Sequence, residues 1–257
     1  MPFENKLKQI LQQGKVVFGV TVQISSETLV EIIGYAGFDF VFIDTEHGQI
    51  DLQSAGRLIR VADSVGMTPL VRVMKNDAAE ILKALDLGAK GIIVPHISTK
   101  EDAQLAVRAC KYGPGGRGSC PLVRANRYGL DDWPQYQDAA NRNTMFIALI
   151  ENVAAVENID EILTVDGIDA VFIGAFDMSV DAGCKGNVQS PKIQRCIQTI
   201  IDACNKKSIP VMHTTTNGPD IKAWVDKGVR IIVQGSDSRI FGRACAEIIK
   251  SVEQFRK

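Results

Sequence analysis

A closed (β/α)8 barrel is the fold class this sequence predicts, and three observations predict it. Short β-branched apolar runs alternate with segments of helical period from end to end; there are eight such runs; and most are nearly continuous, as in VFI, GIIVP, FIALI and AVFIG. Continuous apolar runs belong to parallel strands covered on both faces. Eight of them separated by helices suggest a parallel barrel, and 257 residues suit one such domain. The rival is an open doubly wound sheet, but no G-x-G-x-x-G follows the first run and no Walker lysine loop occurs.

The expected strands are Val16–Val22, Phe38–Thr45, Thr68–Val73, Gly91–His96, Met145–Glu151, Ala170–Phe176, Pro210–Thr215 and Arg230–Gly235. Helical segments between them open on capping residues. Asp51 precedes a helix that runs to Gly66, and Asp77 one that runs to Gly88. Ser98 opens another, with Glu101 three residues on in capping-box position. Ser190 followed by Pro191 starts a long helix through Lys207. One connection, Tyr112 to Trp133, is longer than the rest and rich in Gly, Arg and Pro, a length usually functional or mobile. No composition shift or repeat divides the chain, so residues 1–257 are expected to form a single barrel domain.

Composition excludes several function classes. Twenty-nine basic against 30 acidic residues give no electrostatic case for nucleic acid or an anionic membrane. The apolar runs are strand-length, too short for a membrane span, and the amphipathic start MPFENKLKQILQQGK lacks a leader's apolar run. Six cysteines form no C-x-x-C or zinc pair and read as reduced thiols of a cytoplasmic protein.

Polar residues in the apolar strands gather at strand C-termini, the end of a barrel where active sites lie. The second strand ends in Asp44-Thr45-Glu46-His47, the third near Arg72, the fourth at His96 and the fifth at Glu151; Asp177 follows the sixth, and the seventh carries His213 and three threonines. Each has a plainer reading: a carboxylate there can cap the next helix, Arg72 can pair with a core acid, and the histidines can be hydrogen-bonded structure. Together they point to chemistry. Glu151 and Asp177 end neighbouring strands, roughly 5 Å apart, where two carboxylates repel unless a cation or proton lies between them. Oxygen ligands without thiolate favour Mg²⁺, Mn²⁺ or Co²⁺. Arg72 and His47 would face that ion with a fixed positive charge and a titratable base.

These residues stand in stretches — FDFVFIDTEHG, TPLVRV, LDLGAKGIIVPHI, YGPGGRGS, the Glu151 strand and DAVFIGAFDMS — that in this order resemble the HpcH/HpaI aldolase family over roughly Lys6 to Val252. Its members are class II pyruvate aldolases acting on 2-keto-3-deoxy sugar acids and 2,4-dihydroxyhept-2-enedioate, on a phosphoenolpyruvate/pyruvate-type TIM barrel. The resemblance implies Glu151 and Asp177 as metal ligands, His47 as catalytic base acting through water, Asp44 orienting it, and Arg72 on the pyruvyl oxygen. It implies backbone amides around Gly174, Ala175 and Asp177 as the seat of the pyruvate carboxylate. Asp86 matches a position that reaches a neighbouring subunit's site, in homo-oligomers, typically hexamers, whose last helix is exchanged. The sequence departs from the family at Leu149, usually glutamine beside the pyruvate, at Ala175-Phe176 before Asp177, and at Cys120-Pro121.

The reaction so implied cleaves a 4-hydroxy-2-oxo acid to pyruvate and an aldehyde through a metal-stabilised enolate. Alternatives are a citrate-lyase-like or other 2-oxo acid lyase or decarboxylase on the same barrel, and an inactive metabolite-binding barrel, which Leu149 keeps open. A Schiff-base aldolase needs a buried lysine in the barrel; the sixth strand has none, and Lys75 and Lys90 lie outside the apolar cores. The aldehyde is expected to meet the Tyr112–Trp133 connection and the ends of strands seven and eight, with Thr214, Thr215 and Asn217 as hydrogen-bonding candidates.

Overall fold

The computed structural model describes residues 3–215 and 218–256, the side chains of 218 and 219 aside. Each expected strand forms: β1 (Val17–Val22), β2 (Phe40–Asp44), β3 (Thr68–Arg72), β4 (Gly91–Val94), β5 (Met145–Ile150), β6 (Ala170–Ile173), β7 (Val211–Thr214) and β8 (Val229–Ser236). They pair in chain order and β8 closes on β1, so the sheet has no edge and every pairing is parallel. The helices are α1 (Lys6–Gln12), α2 (Glu27–Tyr35), α3 (Leu52–Ser64), α4 (Ala78–Asp86), α5 (Lys100–Cys110), α6 (Trp133–Asn143), α7 (Val153–Glu157), α8 (Ile159–Ile162), α9 (Ala175–Asp181), α10 (Pro191–Lys206), α11 (Gly218–Asp226) and α12 (Asp237–Val252).

Two apolar layers hold the barrel. Val20, Val41, Val71, Ile92, Ala148 and Val171 face outward onto helix residues such as Leu58, Ile81 and Ile197. Phe42, Leu70, Ile93, Leu149, Phe172 and Met212 fill the interior, and α1 inserts Leu7 among them beside strand-start residues Val17 and Met145, which closes the N-terminal end. With that end plugged, the interior opens at the strand C-termini.

Local signals mostly act where the sequence places them. Asp51, Asp77 and Ser190 cap α3, α4 and α10 through side-chain oxygens. Gly66 and Gly88 follow the C-caps of α3 and α4 with φ of 79° and 104°, a left-handed step that suits glycine. Two expectations are corrected. The cap of α5 is Thr99 rather than Ser98, and its box partner is Asp102 rather than Glu101, because the helix begins one residue later. The sixth strand stops at Ile173, since Ala175 already starts α9, so Asp177 lies in a helical first turn and not on a strand end. None of the six cysteines is in a disulfide, and burial pushes the thiols of Cys110 and Cys204 up to about 12. Among the described residues no helix is long and apolar enough to cross a membrane.

Candidate active site

The strand C-termini surround a cavity of about 760 Å³ lined from β1, β2, β3, β5, β6, β7 and β8 and from α9 to α12. Its charged centre starts with strand register. Asp44 and Arg72 are paired positions on β2 and β3, and the guanidinium grips the carboxylate with both prongs: Nε to Oδ1 at 3.0 Å and Nη2 to Oδ2 at 2.8 Å. Burial works to raise the Asp44 carboxyl, but the hydrogen bond and charge of Arg72 prevail and hold it below the usual range. Asp44 also accepts from the backbone N–H groups of Glu46 and His47 and from the Gln23 amide. It thus holds the main chain of the turn after β2 that carries Glu46 and His47. Among the described hydrogen bonds Asp44 makes none to the His47 imidazole.

Glu46 is the residue that sequence reasoning passed over. Its carboxylate lies among three cationic or titratable groups: Arg72 Nη1 at 3.0 Å, His47 Nε2 at 3.9 Å and His96 Nε2 at 3.8 Å. Burial raises its pKa against the pull of Arg72 and the two histidines. Its place two residues beyond Asp44 was the available signal, although such a spacing also describes a turn. The His47 side chain is 60% exposed and lines the cavity.

On the facing side, Glu151 follows β5 directly. Its Oε1 accepts from the backbone N–H of His96 at 2.7 Å, and His96 Nδ1 lies 2.8 Å from the same oxygen. Burial raises the Glu151 carboxyl; His96 opposes this, while the charges of Glu46 and Asp177 add to it. Gly174 passes so close behind Glu151 that an added Cβ would collide with the Glu151 Cβ and press on Leu149. The Gly174 N–H is taken by the Ile150 carbonyl. That corrects its expected part in holding a carboxylate: among the described residues the unengaged amides there are those of Ala175, Phe176 and Asp177, the first turn of α9, whose helix bonding begins at Met178.

The floor is apolar. Leu149 is buried beside Phe42 and Phe172, whose rings meet edge to face at 5.8 Å, and Arg72 lies over the Phe42 ring. Along β7, β8 and β1 the wall carries Thr214, Ser236 and Thr21. His213 also lines the cavity and packs against the Trp224 ring, 4.2 Å between centroids; burial, aided by Lys227, pushes it down to about 4, so it is neutral near pH 7. Asn217 lies outside the described residues.

Two expected parts lie outside the protomer's own cavity. Asp86, expected at a neighbouring subunit's site, pairs with buried Arg117 at 2.5 Å and does not line this cavity. The 112–133 connection is likewise pinned away from its own mouth, by Arg117 to Asp86 and by Arg124 to Asp63 and the Leu87 carbonyl. Lys227, the lysine that lines the cavity, is exposed just after α11 with its ammonium over Trp224, unlike a buried Schiff-base lysine.

The donor set suits a hard divalent cation. The charges of Glu46 and Asp177 both press on Glu151 in a partly buried space, while Arg72 is already clamped to Asp44. Among the described residues no three His, Cys, Asp or Glu side chains form a ready ligand cluster. Two carboxylates with open positions is the pattern of an ion that keeps water and substrate as its other ligands.

Comparison with known proteins gives consistent matches. A family model described as HpcH/HpaI aldolase/citrate lyase matches residues 18–244. A hydroxypyruvate/pyruvate aldolase of Roseobacter denitrificans is 34% identical over 233 residues, 91% of each chain. The solved citrate synthase SbnG is 31% identical at a TM-score of 0.88, covering 98% of this chain and 99% of that one. An HpcH/HpaI aldolase/citrate lyase family protein from Burkholderia cenocepacia superposes at 0.91 with 26% identity, over 97% and 99% of the two chains.

Proposed function

The chain belongs to the HpcH/HpaI aldolase/citrate lyase family, and from that premise we propose that this carbon–carbon lyase reversibly cleaves a 4-hydroxy-2-oxo acid to pyruvate and an aldehyde with the residues at the barrel mouth. The observation that carries the reading is the convergence of Arg72, His47, Glu151 and Asp177 on one cavity.

Glu151 and Asp177 would hold a divalent cation, Mg²⁺, Mn²⁺ or Co²⁺. When bound, such an ion supplies Lewis-acid polarisation of the 2-oxo group. The amides of Ala175, Phe176 and Asp177 would receive the substrate carboxylate, at the positive end of α9. Arg72, immobilised by Asp44 and Glu46, presents a fixed positive charge to the 2-oxo oxygen, where negative charge collects as the C3–C4 bond breaks. His47 takes the proton of the C4 hydroxyl in cleavage and returns it to the aldehyde oxygen in condensation, as a general base and then a general acid. The bond's electron pair passes to the pyruvyl fragment, which takes up a proton at C3. Leu149, Phe42 and Phe172 face the donor with hydrocarbon and favour a methyl or alkyl group there over a hydroxyl.

The exposed apolar residues Ile240, Phe241, Ile248 and Ile249 on α12 support a homo-oligomer built through that helix. Free thiols fit a cytoplasmic location.

The test is pyruvate release from a panel of 4-hydroxy-2-oxo acids by EDTA-treated protein, with and without restored Mg²⁺, Mn²⁺ or Co²⁺. Activity that disappears on stripping and returns with metal is expected; cleavage unaffected by EDTA would sink the metal mechanism. A second reading has its own support in the match to a citrate synthase. Turnover with a coenzyme A thioester and none with free 4-hydroxy-2-oxo acids would favour it.

A further inference from the structure

His96 has no part in the reaction as described, yet its backbone is held in an unfavourable shape. It follows β4 and Pro95 with φ of 57°. The left-handed region is uncommon for any residue with a side chain, and histidine is among the few types enriched there. Glycine would adopt the same turn without strain, so the fold alone does not call for histidine.

The turn directs both hydrogen-bond donors of this residue at one atom. Its backbone N–H donates to Glu151 Oε1 at 2.7 Å, and ring Nδ1 lies 2.8 Å from that oxygen. Among the described residues no donor reaches Oε2. Gly174, pressed against the Glu151 Cβ, closes off the space behind the side chain. A buried carboxylate fixed through one oxygen and blocked from behind presents its other oxygen in a single direction.

We propose that His96 is a positioning residue: by anchoring Oε1 it aims Oε2 of Glu151 into the cavity, ready to bind a divalent cation. This rests on the reading of Glu151 as a metal ligand. Groups that orient a ligand from behind typically change metal affinity by 10- to 100-fold, and here one residue supplies two of them.

The experiment is Mn²⁺ binding, followed by electron paramagnetic resonance titration of the metal-stripped full chain, for wild type, His96→Gly, His96→Asn and Glu151→Gln. Glycine keeps the turn and the backbone donor but removes the ring. Its Mn²⁺ affinity is expected to fall by about 10-fold, while the melting temperature holds or rises, because the strain is relieved. The Asn amide nitrogen occupies the place of Nδ1, one bond beyond Cγ, and asparagine tolerates the turn; His96→Asn is expected to stay within about three-fold of wild type, well inside the range such partners span. Wild-type affinity in His96→Gly, or His96→Asn as weak as His96→Gly, would overturn the proposal. Glu151→Gln separates the two readings: if it binds Mn²⁺ as tightly as wild type, Glu151 is not a ligand and the proposal falls with that assignment.

Discussion

At the scale of single residues, Arg72 carries two duties that the sequence left as alternatives. It pairs with a core acid, as the plainer reading held, and it also lines the cavity with its charge. The first duty makes the second precise, since a guanidinium gripped at both prongs by Asp44 keeps one orientation. The two duties can be separated by substitution. Arg72→Ala would leave buried Asp44 and half-buried Glu46 without their partner, at a cost of about 3 kcal/mol or more of stability. Arg72→Lys retains one charge and loses the planar fork. Its kcat is expected to fall by roughly 10²-fold, the effect of removing one oriented donor, with a smaller drop in melting temperature than Arg72→Ala. Steady-state assays alongside thermal melts check this; a lysine variant with undiminished kcat would remove Arg72 from the chemistry.

At the scale of elements, the segment joining β6 to α9 does the most to shape the site. The sequence reads as an apolar strand running through Phe176, but the chain turns at Gly174 and becomes helical at Ala175. The turn is tight because the backbone passes directly behind Glu151, and only a residue without a Cβ fits there. Gly174→Ala thus sets a methyl against the Glu151 side chain and Leu149. Overpacking of this kind costs about 1–3 kcal/mol, and here relief would displace Glu151 or the first turn of α9. The expected outcome is a lower melting temperature together with a kcat/KM loss out of proportion to it, measured on the folded variant below its transition. Unchanged kcat/KM would show that the β6–α9 turn is not part of the substrate seat. The 112–133 connection shows the reverse case: its length suggested a functional or mobile segment that meets the aldehyde, and the ion pairs to α3 and α4 place it on the barrel's flank.

At the scale of the whole molecule, the barrel is closed and well filled, yet α12 leaves an apolar face uncovered, with Phe241, Ile248 and Phe255 beyond it all exposed. Such a surface is expected to be buried between copies of the chain. Light scattering should give a mass that is a multiple of the 28.0 kDa protomer, and Ile248→Glu should reduce it by burying a charge in that contact; a monomeric wild type would leave the helix without that role. Much of the molecule was legible before any coordinates. The eight strands were, because continuous β-branched runs have few other uses, and so were the caps at Asp51, Asp77 and Ser190, because capping is a contact between residues three apart. The identities of Arg72, His47, Glu151 and Asp177 were visible as polar residues in apolar surroundings. What the sequence could not determine was every relation between distant residues. Asp44 turning to Arg72 and to the main chain of His47, Glu46 standing between two histidines, His96 bending to anchor Glu151, and Asp86 spent on Arg117 all depend on strand register and on the close packing of side chains from separate strands. Local propensities act over a few residues, whereas these distances are set only when the barrel closes.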